Sequence, residues 1–145
     1  MAQAFYMATT KILPEKTVVE IQQILAQRGA RRVLMEYDNG EIVALSFTLE
    51  FAGKVIPFWL PFRWENCLKA MKEHKGTPRH LCNPAQAKRT AWRIILRWLL
   101  SQFAFTDTQM VSTIEVLLPY AQMGEYTLYE KLEREQFNML PSPNV

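Results

Sequence analysis

The sequence contains few of the residues that catalytic sites require. Two cysteines and two histidines occur in 145 residues, which leaves nucleophilic arrangements such as Ser-His-Asp or Cys-His without enough parts. The five glycines form no glycine-rich phosphate-binding loop, and the carboxylates are not paired as acid–base or two-metal chemistry requires. We therefore expect a protein that is not an enzyme and that carries no cofactor.

The small number of cysteines also argues against a disulfide framework or a zinc site. Cys67 and Cys82 are too few for a disulfide scaffold, and free thiols suit a reducing cytoplasm. Together with His74 and His80 they follow the spacing C-x6-H-x5-H-x-C, which contains no CxxC pair. Cys67 lies among apolar helix positions, where a thiol behaves as a small hydrophobic group. We expect no metal site.

The composition predicts one folded domain that does not enter a membrane. Hydrophobic residues make up 49% of the chain and charged residues 21%, as in ordinary globular domains. No apolar run reaches the roughly 20 residues that a membrane helix needs, and residues 1–11 lack the features of a signal peptide. We predict an N-terminal extension over 1–13, with either Met1 or Met7 as the native start, a single α+β domain over 14–140 and a flexible tail over 141–145.

Alternating hydrophobicity and turn residues predict a three-stranded antiparallel meander. Strands are predicted over 31–37, 41–51 and 55–62, and Asn39-Gly40 between the first two is a strong hairpin signal. Pro57 and Pro61 cannot donate hydrogen bonds, so the third strand should lie at an edge of the sheet. The residues of the second strand that should point inward are Val43, Leu45, Phe47, Leu49 and Phe51.

Helical periodicity predicts about five helices that pack mainly on one face of this sheet, which gives an α+β fold. The first covers 14–28, with Pro14 early in the helix and Thr17 and Glu20 at capping-box spacing. Residues 75–83 are the predicted flexible loop. The other predicted helices cover 63–74, 85–103, a short segment from Thr106 or Asp107 to Leu118, and a last segment over 127–137 that Thr127 caps with Glu130 at the capping-box position.

Basic residues cluster in the middle of the chain although the net charge is only +3. Residues 63–97 contain nine Lys or Arg against two Glu. Within helix 85–103, Arg89, Arg93 and Arg97 recur at every fourth residue, away from the apolar face that includes Trp92. A guanidinium binds phosphate in a bidentate fork, so this stripe predicts contacts to phosphate. The alternative is a solvated helix face paired with carboxylates of the acidic C-terminal third.

Trp59 is a second candidate for a binding role. Its neighbours in the strand alternate inward, so Trp59 is the tryptophan most expected to be exposed, and an exposed indole can stack on a base. The alternative is that it fills part of the core. The predicted ligand-binding residues are therefore Arg63, Lys88, Arg89, Arg93, Arg97 and Trp59.

Several short segments resemble an uncharacterised family of small proteins that bacteriophages and integrative elements carry. The segments are Pro61-Phe62-Arg63-Trp64, Ala91-Trp92-Arg93, Leu96-Arg97-Trp98, Leu117-Leu118-Pro119-Tyr120, Thr127-Leu128-Tyr129-Glu130 and the opening at Met7. This resemblance implies a genomic setting, within a bacterial host cell, and no mechanism. The order helix, three strands, helix is also similar to that of double-stranded RNA-binding domains, at the level of topology alone.

Together these features predict a cytoplasmic accessory protein that binds a phosphate-bearing ligand, most simply nucleic acid, through its basic helix. The alternative is a counter-defence protein that sequesters a nucleotide immune signal or inhibits a host defence protein. Strand 31–37 has no proline to protect its edge, and Trp59 and Trp98 add apolar surface. We therefore also expect a homodimer.

Overall fold

A computed structural model of the protein describes residues 3–143. It contains five α-helices and a three-stranded antiparallel sheet, so the α+β prediction is confirmed. The three strands are β1 Arg32–Asp38, β2 Glu41–Phe51 and β3 Lys54–Trp59, and Gln122–Met123 and Tyr126–Thr127 pair as the short strands β4 and β5. The helices are α1 Pro14–Gln27, α2 Trp64–Glu73, α3 Pro84–Asp107, α4 Thr113–Leu117 and α5 Leu128–Arg134.

Two tight turns join the three strands of the meander. Asn39 and Gly40 have φ values of 50° and 79°, and Ala52 and Gly53 have φ values of 52° and 76°. Positive φ at both central residues defines a type I′ turn, whose twist matches that of the flanking strands. Asn and Gly adopt this conformation readily, whereas Ala52 adopts it against the repulsion of its Cβ.

The register of the β1–β2 pair shifts by one residue beside the first turn. The pairing passes from Glu36 opposite Ala44 to Tyr37 opposite Ile42, which leaves Val43 as the extra residue of a β-bulge. As a result Ile42 is buried and Val43 is 41% exposed. The prediction that Val43 points inward was therefore wrong, because strict alternation does not hold across a bulge. The inward residues after the bulge agree with the prediction.

The strand order β1-β2-β3 places β3 at an edge, as its prolines predicted. The Leu60 N–H donates to the Leu45 carbonyl at 3.0 Å. Because N–H and C=O groups alternate in direction along a strand, those of Leu60, Phe58 and Ile56 point toward β2 and those of Pro57 point away from it. The missing N–H of Pro57 therefore removes no hydrogen bond between β2 and β3. Phe58 also forms an isolated bridge with Ala121. The β3 edge is therefore partly covered by the chain itself.

Helices α1 and α3 cover the inner face of the sheet and bury the main core. Trp92 has no exposed surface and stacks on Phe62, with ring centroids 4.2 Å apart. The other large core side chains come from α1, β2, β3 and α3, and they are Ile21, Leu25, Leu45, Phe47, Phe58, Leu99 and Phe103.

The helix ends differ from the prediction at three places. Pro14 occupies the first turn of α1, but Thr17 lies buried beyond it and caps nothing, because the N-cap is Leu13. Helix α3 continues to Asp107, so the side chain that caps α4 is Ser112, which forms a capping box with Glu115. The predicted box of Thr127 and Glu130 is confirmed, while α5 ends at Arg134.

Residues 4–10 of the predicted N-terminal extension pack against α2 and α3. Ala8 has no exposed surface and lies in a second core cluster with Met71 and Ala87. The Gln86 side-chain amide donates to the carbonyls of Ala8 at 2.7 Å and Thr10 at 2.8 Å. This segment therefore contributes to the fold. Residues 1 and 2, and residues 144 and 145 of the predicted tail, lie outside the described range.

Candidate functional site

The arginine stripe of α3 is not a continuous free surface. Arg93 Nη1 lies 2.8 Å from Oε2 of Glu20 on α1, and the Arg93 side chain is only 12% exposed. This ion pair holds α3 against α1. Because a buried guanidinium already engaged by a carboxylate has little access to a ligand, the geometry assigns Arg93 a structural role.

Lys88 and Arg89 are also engaged by neighbouring side chains. Lys88 Nζ lies 2.6 Å from Oε2 of Glu41 and 4.8 Å from the centroid of the Trp64 ring, with 24% of its side chain exposed. Arg89 donates to the Gln86 side-chain carbonyl at 3.1 Å. The carboxylates that pair with Arg93 and its neighbour Lys88 therefore come from α1 and β2 and not from the C-terminal third.

Arg97 lies one turn beyond Arg93 and differs from it. It is exposed, and no carboxylate of residues 3–143 lies within 4 Å of its guanidinium. The sequence spacing placed Arg97 on one face with Arg93 correctly. It could not distinguish them, because their difference depends on where α1 crosses α3.

The structure brings Trp59 and Arg63, two of the predicted ligand-binding residues, into one cleft. We call it the Trp59 cleft; it consists of two adjoining hollows of about 210 and 310 Å³ that share Trp59, Thr127 and Glu130. Trp59 is half-buried, so it is less exposed than predicted. The other residues that line the two hollows include Val43, Ala44, Pro61, Phe62, Tyr120 and Tyr126.

The electrostatics of the Trp59 cleft are mixed. Arg63 is exposed at the N-cap of α2, and Glu130 faces the same space. A hydrogen bond to Glu133 raises the pKa of Tyr129 in α5, and the nearby positive charge of Arg63 opposes that rise. Glu125 lines the other hollow, so the cleft holds an indole, one guanidinium and two carboxylates, which suits a planar ligand that carries several donors and a single anionic group placed at Arg63.

A second cleft carries a stronger positive charge, and sequence reasoning did not single it out. Lys72, His74, Lys75 and Arg79 line a hollow of about 610 Å³ between the end of α2 and the following loop. We call it the α2 basic cleft. Glu73 is the carboxylate in its lining, and no ion pair among residues 3–143 involves Lys72, Lys75 or Arg79. The excess of Lys and Arg over residues 63–97 indicated a basic surface, but it did not show that Lys72, Lys75 and Arg79 line one cleft.

The loop that carries this cleft is held in place by hydrogen bonds, in contrast to the flexible loop that was predicted. Thr77 is buried, its hydroxyl accepts from the Phe5 backbone N–H at 2.8 Å, and it lies 3.0 Å from Nδ1 of His74. Residues Arg79–Leu81 form a 3-10 turn. The lysines and arginine of the α2 basic cleft are therefore carried on an ordered backbone.

The two cysteines are free, and Cys82 lies in the lining of the α2 basic cleft. Burial raises the pKa of the Cys67 thiol, which keeps it protonated at neutral pH. Nowhere in residues 3–143 do three His, Cys, Asp or Glu side chains come close enough to hold a metal ion. In the same part of the chain, no helix is both long and apolar enough to cross a bilayer.

No protein-family model, curated protein or solved structure matches the chain. The two clefts are therefore the features of the molecule that bear on function. The α2 basic cleft offers clustered positive charge, and the Trp59 cleft offers an aromatic face with a single cation.

Proposed function

We propose that the protein binds a phosphate-bearing ligand, most simply nucleic acid, and that it acts without catalysis as an accessory protein of a phage or integrative element in the cytoplasm of the host. The observation that carries this proposal is the α2 basic cleft, where Lys72, Lys75 and Arg79 surround one hollow without an ion-pair partner among the described residues. The phage setting rests on the sequence resemblance alone.

Clustered cations favour phosphate because each contact releases counterions that the nucleic-acid backbone had condensed. Lysine ammonium groups on flexible stems adapt to the backbone, and an arginine adds a bidentate fork. Exposed Arg97 could extend the contact along α3. Paired Lys88 and Arg93 are not needed as contacts, so the proposed interface is displaced from the arginine stripe toward α2.

The test compares two triple variants that lose the same charge. Lys72→Ala with Lys75→Ala and Arg79→Ala removes the cleft cations, whereas Lys16→Ala with Lys54→Ala and Lys131→Ala removes three exposed cations elsewhere. Binding to labelled single- and double-stranded oligonucleotides is measured by fluorescence polarisation over a salt series. For the wild type, the logarithm of the binding constant should fall linearly with the logarithm of the salt concentration, with a slope of about 0.7–0.9 for each phosphate contacted.

The cleft variant should bind at least about tenfold more weakly than the control variant and should show a shallower salt slope. Equal losses in the two variants would mean that net charge, and not the α2 basic cleft, governs binding. A wild type that binds no oligonucleotide would remove the nucleic-acid proposal.

A second candidate is the sequestration of a nucleotide immune signal in the Trp59 cleft. It is favoured by one observation, that Trp59 and Arg63 line the same hollow, where an indole could stack on a base while the guanidinium holds a phosphate. Cyclic nucleotides and ADP-ribose derivatives should then raise the melting temperature, and Trp59→Ala should abolish the rise. If neither nucleotides nor oligonucleotides bind, inhibition of a host defence protein becomes the favoured function.

A further inference from the structure

One edge of β1 is not paired with any strand among residues 3–143. Strand β1 pairs with β2 on one side only, and it is the first strand in the sheet order. The opposite edge of the sheet is blunted by Pro57 and bridged at Ala121, whereas β1 contains no proline. Leu34 on β1 is 57% exposed although it is a large apolar side chain.

The backbone directions on β1 follow from one hydrogen bond in the neighbouring pair of strands. Because Leu60 donates to Leu45, the backbone groups of Leu45 face β3 and those of Ser46 face β1. Ser46 lies opposite Leu34, so the N–H and C=O of Leu34 face inward to the sheet. Those of its neighbours Val33 and Met35 therefore point outward along the free edge, with no strand to accept them.

In an added antiparallel strand, a residue whose N–H and C=O groups point toward β1 must lie opposite a β1 residue whose groups point outward. For two identical strands this places the twofold axis on a residue. With the axis at Leu34, Val33 faces Met35 of the second copy and the two Leu34 side chains face each other. An axis at Met35 would place Leu34 against Glu36 and would bring Arg32 against Asp38 only at the last residue of β1, beyond the register shift after Glu36. An axis at Val33 would place Arg32 against Leu34.

The charges on the outer face of β1 select the register centred on Leu34. In that register Arg32 of each copy faces Glu36 of the other, which gives two ion pairs on either side of a Leu34–Leu34 contact. Within the chain, Arg32 and Glu36 lie opposite the uncharged Thr48 and Ala44, and neither belongs to an ion pair among residues 3–143. A second copy in this register would supply each of them with a partner of opposite charge.

We propose that the protein forms a twofold dimer in which two β1 strands pair antiparallel about Leu34, so that the two meanders make one six-stranded sheet. The segment 32–36 that pairs is the regular part of β1, since the bulge begins after Glu36. The outward groups of Val33 and Met35 supply about four new backbone hydrogen bonds. Because the twofold axis is perpendicular to the sheet, the helices of both copies lie on the same side.

A charge-swap experiment tests both the dimer and its register. Arg32→Glu and Glu36→Arg, each alone, place like charges opposite each other twice and should weaken dimerisation about tenfold or more. The double variant R32E/E36R restores opposite charges and should dimerise like the wild type. Sedimentation equilibrium at micromolar concentrations gives the association state, and far-UV circular dichroism shows that each variant is folded.

Cysteine cross-linking provides an independent measurement of the register. Directly opposed residues of a non-hydrogen-bonded pair have Cα atoms about 4.5 Å apart, within reach of a disulfide. Leu34→Cys should therefore form a covalent dimer under mild oxidation, while Arg32→Cys should not, since the two copies of residue 32 are about 13 Å apart along the strands. The wild type, with its own two cysteines, is the background control.

A sedimentation mass of one chain at every concentration would overturn the proposal. A dimer that Arg32→Glu leaves unchanged, or that R32E/E36R fails to restore, would also overturn it, because such a dimer would use another surface. Restoration by the double swap together with selective cross-linking at residue 34 would establish the β1 interface.

Discussion

Arg93 on α3 and Glu20 on α1 form an ion pair in which the arginine side chain is almost withdrawn from solvent, with 12% of it exposed. The pair lies between the two helices that cover the inner face of the sheet. Arg28 and Asp107 form a similar link at the far ends of the same helices, but that pair is more exposed. Two ion pairs in the same sequence order show that α1 and α3 run in the same general direction.

Replacing Arg93 should reduce stability because its ion pair with Glu20 holds α3 against α1. Arg93→Gln leaves Glu20 partly buried without its partner, and the expected loss is about 2 kcal/mol, between the values for exposed and buried pairs. Arg97→Gln, one turn away and exposed, should change stability by less than about 0.5 kcal/mol. Urea denaturation of both variants measures the difference. Equal stabilities would contradict a structural role for Arg93.

The turn between β2 and β3 should be stabilised by a residue that tolerates positive φ. Ala52 has φ 52°, and Ala52→Asn should raise the free energy of unfolding by about 1 kcal/mol. Asn39→Ala makes the reverse change in the matching turn between β1 and β2, and it should lower the free energy of unfolding by a similar amount. The two variants are compared by thermal denaturation, and changes of the same sign in both would argue against this account.

The Arg28–Asp107 pair should contribute to stability in a pH-dependent way. The hydrogen bond from the Arg28 guanidinium lowers the pKa of Asp107 from its ordinary value of 3.8. A carboxyl whose pKa is lower in the folded state stabilises that state above its unfolded pKa, and the contribution disappears as the pH falls through the folded pKa. When the pH is lowered from about 6 to about 2, the melting temperature of Asp107→Asn should therefore fall less than that of the wild type. A parallel decline in both would indicate that the pair contributes nothing.

Residues 4–10 should become more mobile when their hydrogen bonds to Gln86 on α3 and to Thr77 in the loop after α2 are removed. Gln86→Ala deletes the two hydrogen bonds that this buried side chain donates to the segment, together with the one that it accepts from Arg89, and the expected loss is about 1–3 kcal/mol. A chain that begins at Met7 keeps these bonds but loses the N–H of Phe5 that donates to Thr77. Hydrogen exchange of residues 7–12 and of the loop at Thr77 distinguishes the two effects. Unchanged exchange in Gln86→Ala would show that the segment is held by apolar packing alone.

The meander was predictable because its signals are local. The Asn39-Gly40 dipeptide, the alternation of β2 and the prolines of β3 each depend on residues close in sequence, and all three gave the observed pairing. The helix ends were less predictable because capping competes with propensity: α3 continued through Thr106, and Ser112 became the cap instead. The bulge at Val43 left no sequence signal of its own.

The candidate site was less predictable than the fold because accessibility is a tertiary property. Periodicity correctly grouped Arg93 with Arg97, but the crossing of α1 pairs the first and leaves the second exposed. Trp59 and Arg63 were each chosen for separate reasons, and the path of the chain after β3 brought them together. The α2 basic cleft depends on a loop folding back beside its own helix, and no local pattern in residues 72–79 encodes that return.

Gln86 joins Ala8 and Thr10 to helix α3, which is synthesised much later than they are. Its partners Ala8 and Thr10 precede it by 78 and 76 residues. Residues 3–10 therefore leave the ribosome long before α3 exists, and they have no docking surface until Met71 and Ala87 have also emerged. Residues 3–10 are made before α3 but become fixed only after it, so an interruption of synthesis before Gln86 would release a chain in which these residues remain available to other binding partners or to proteases.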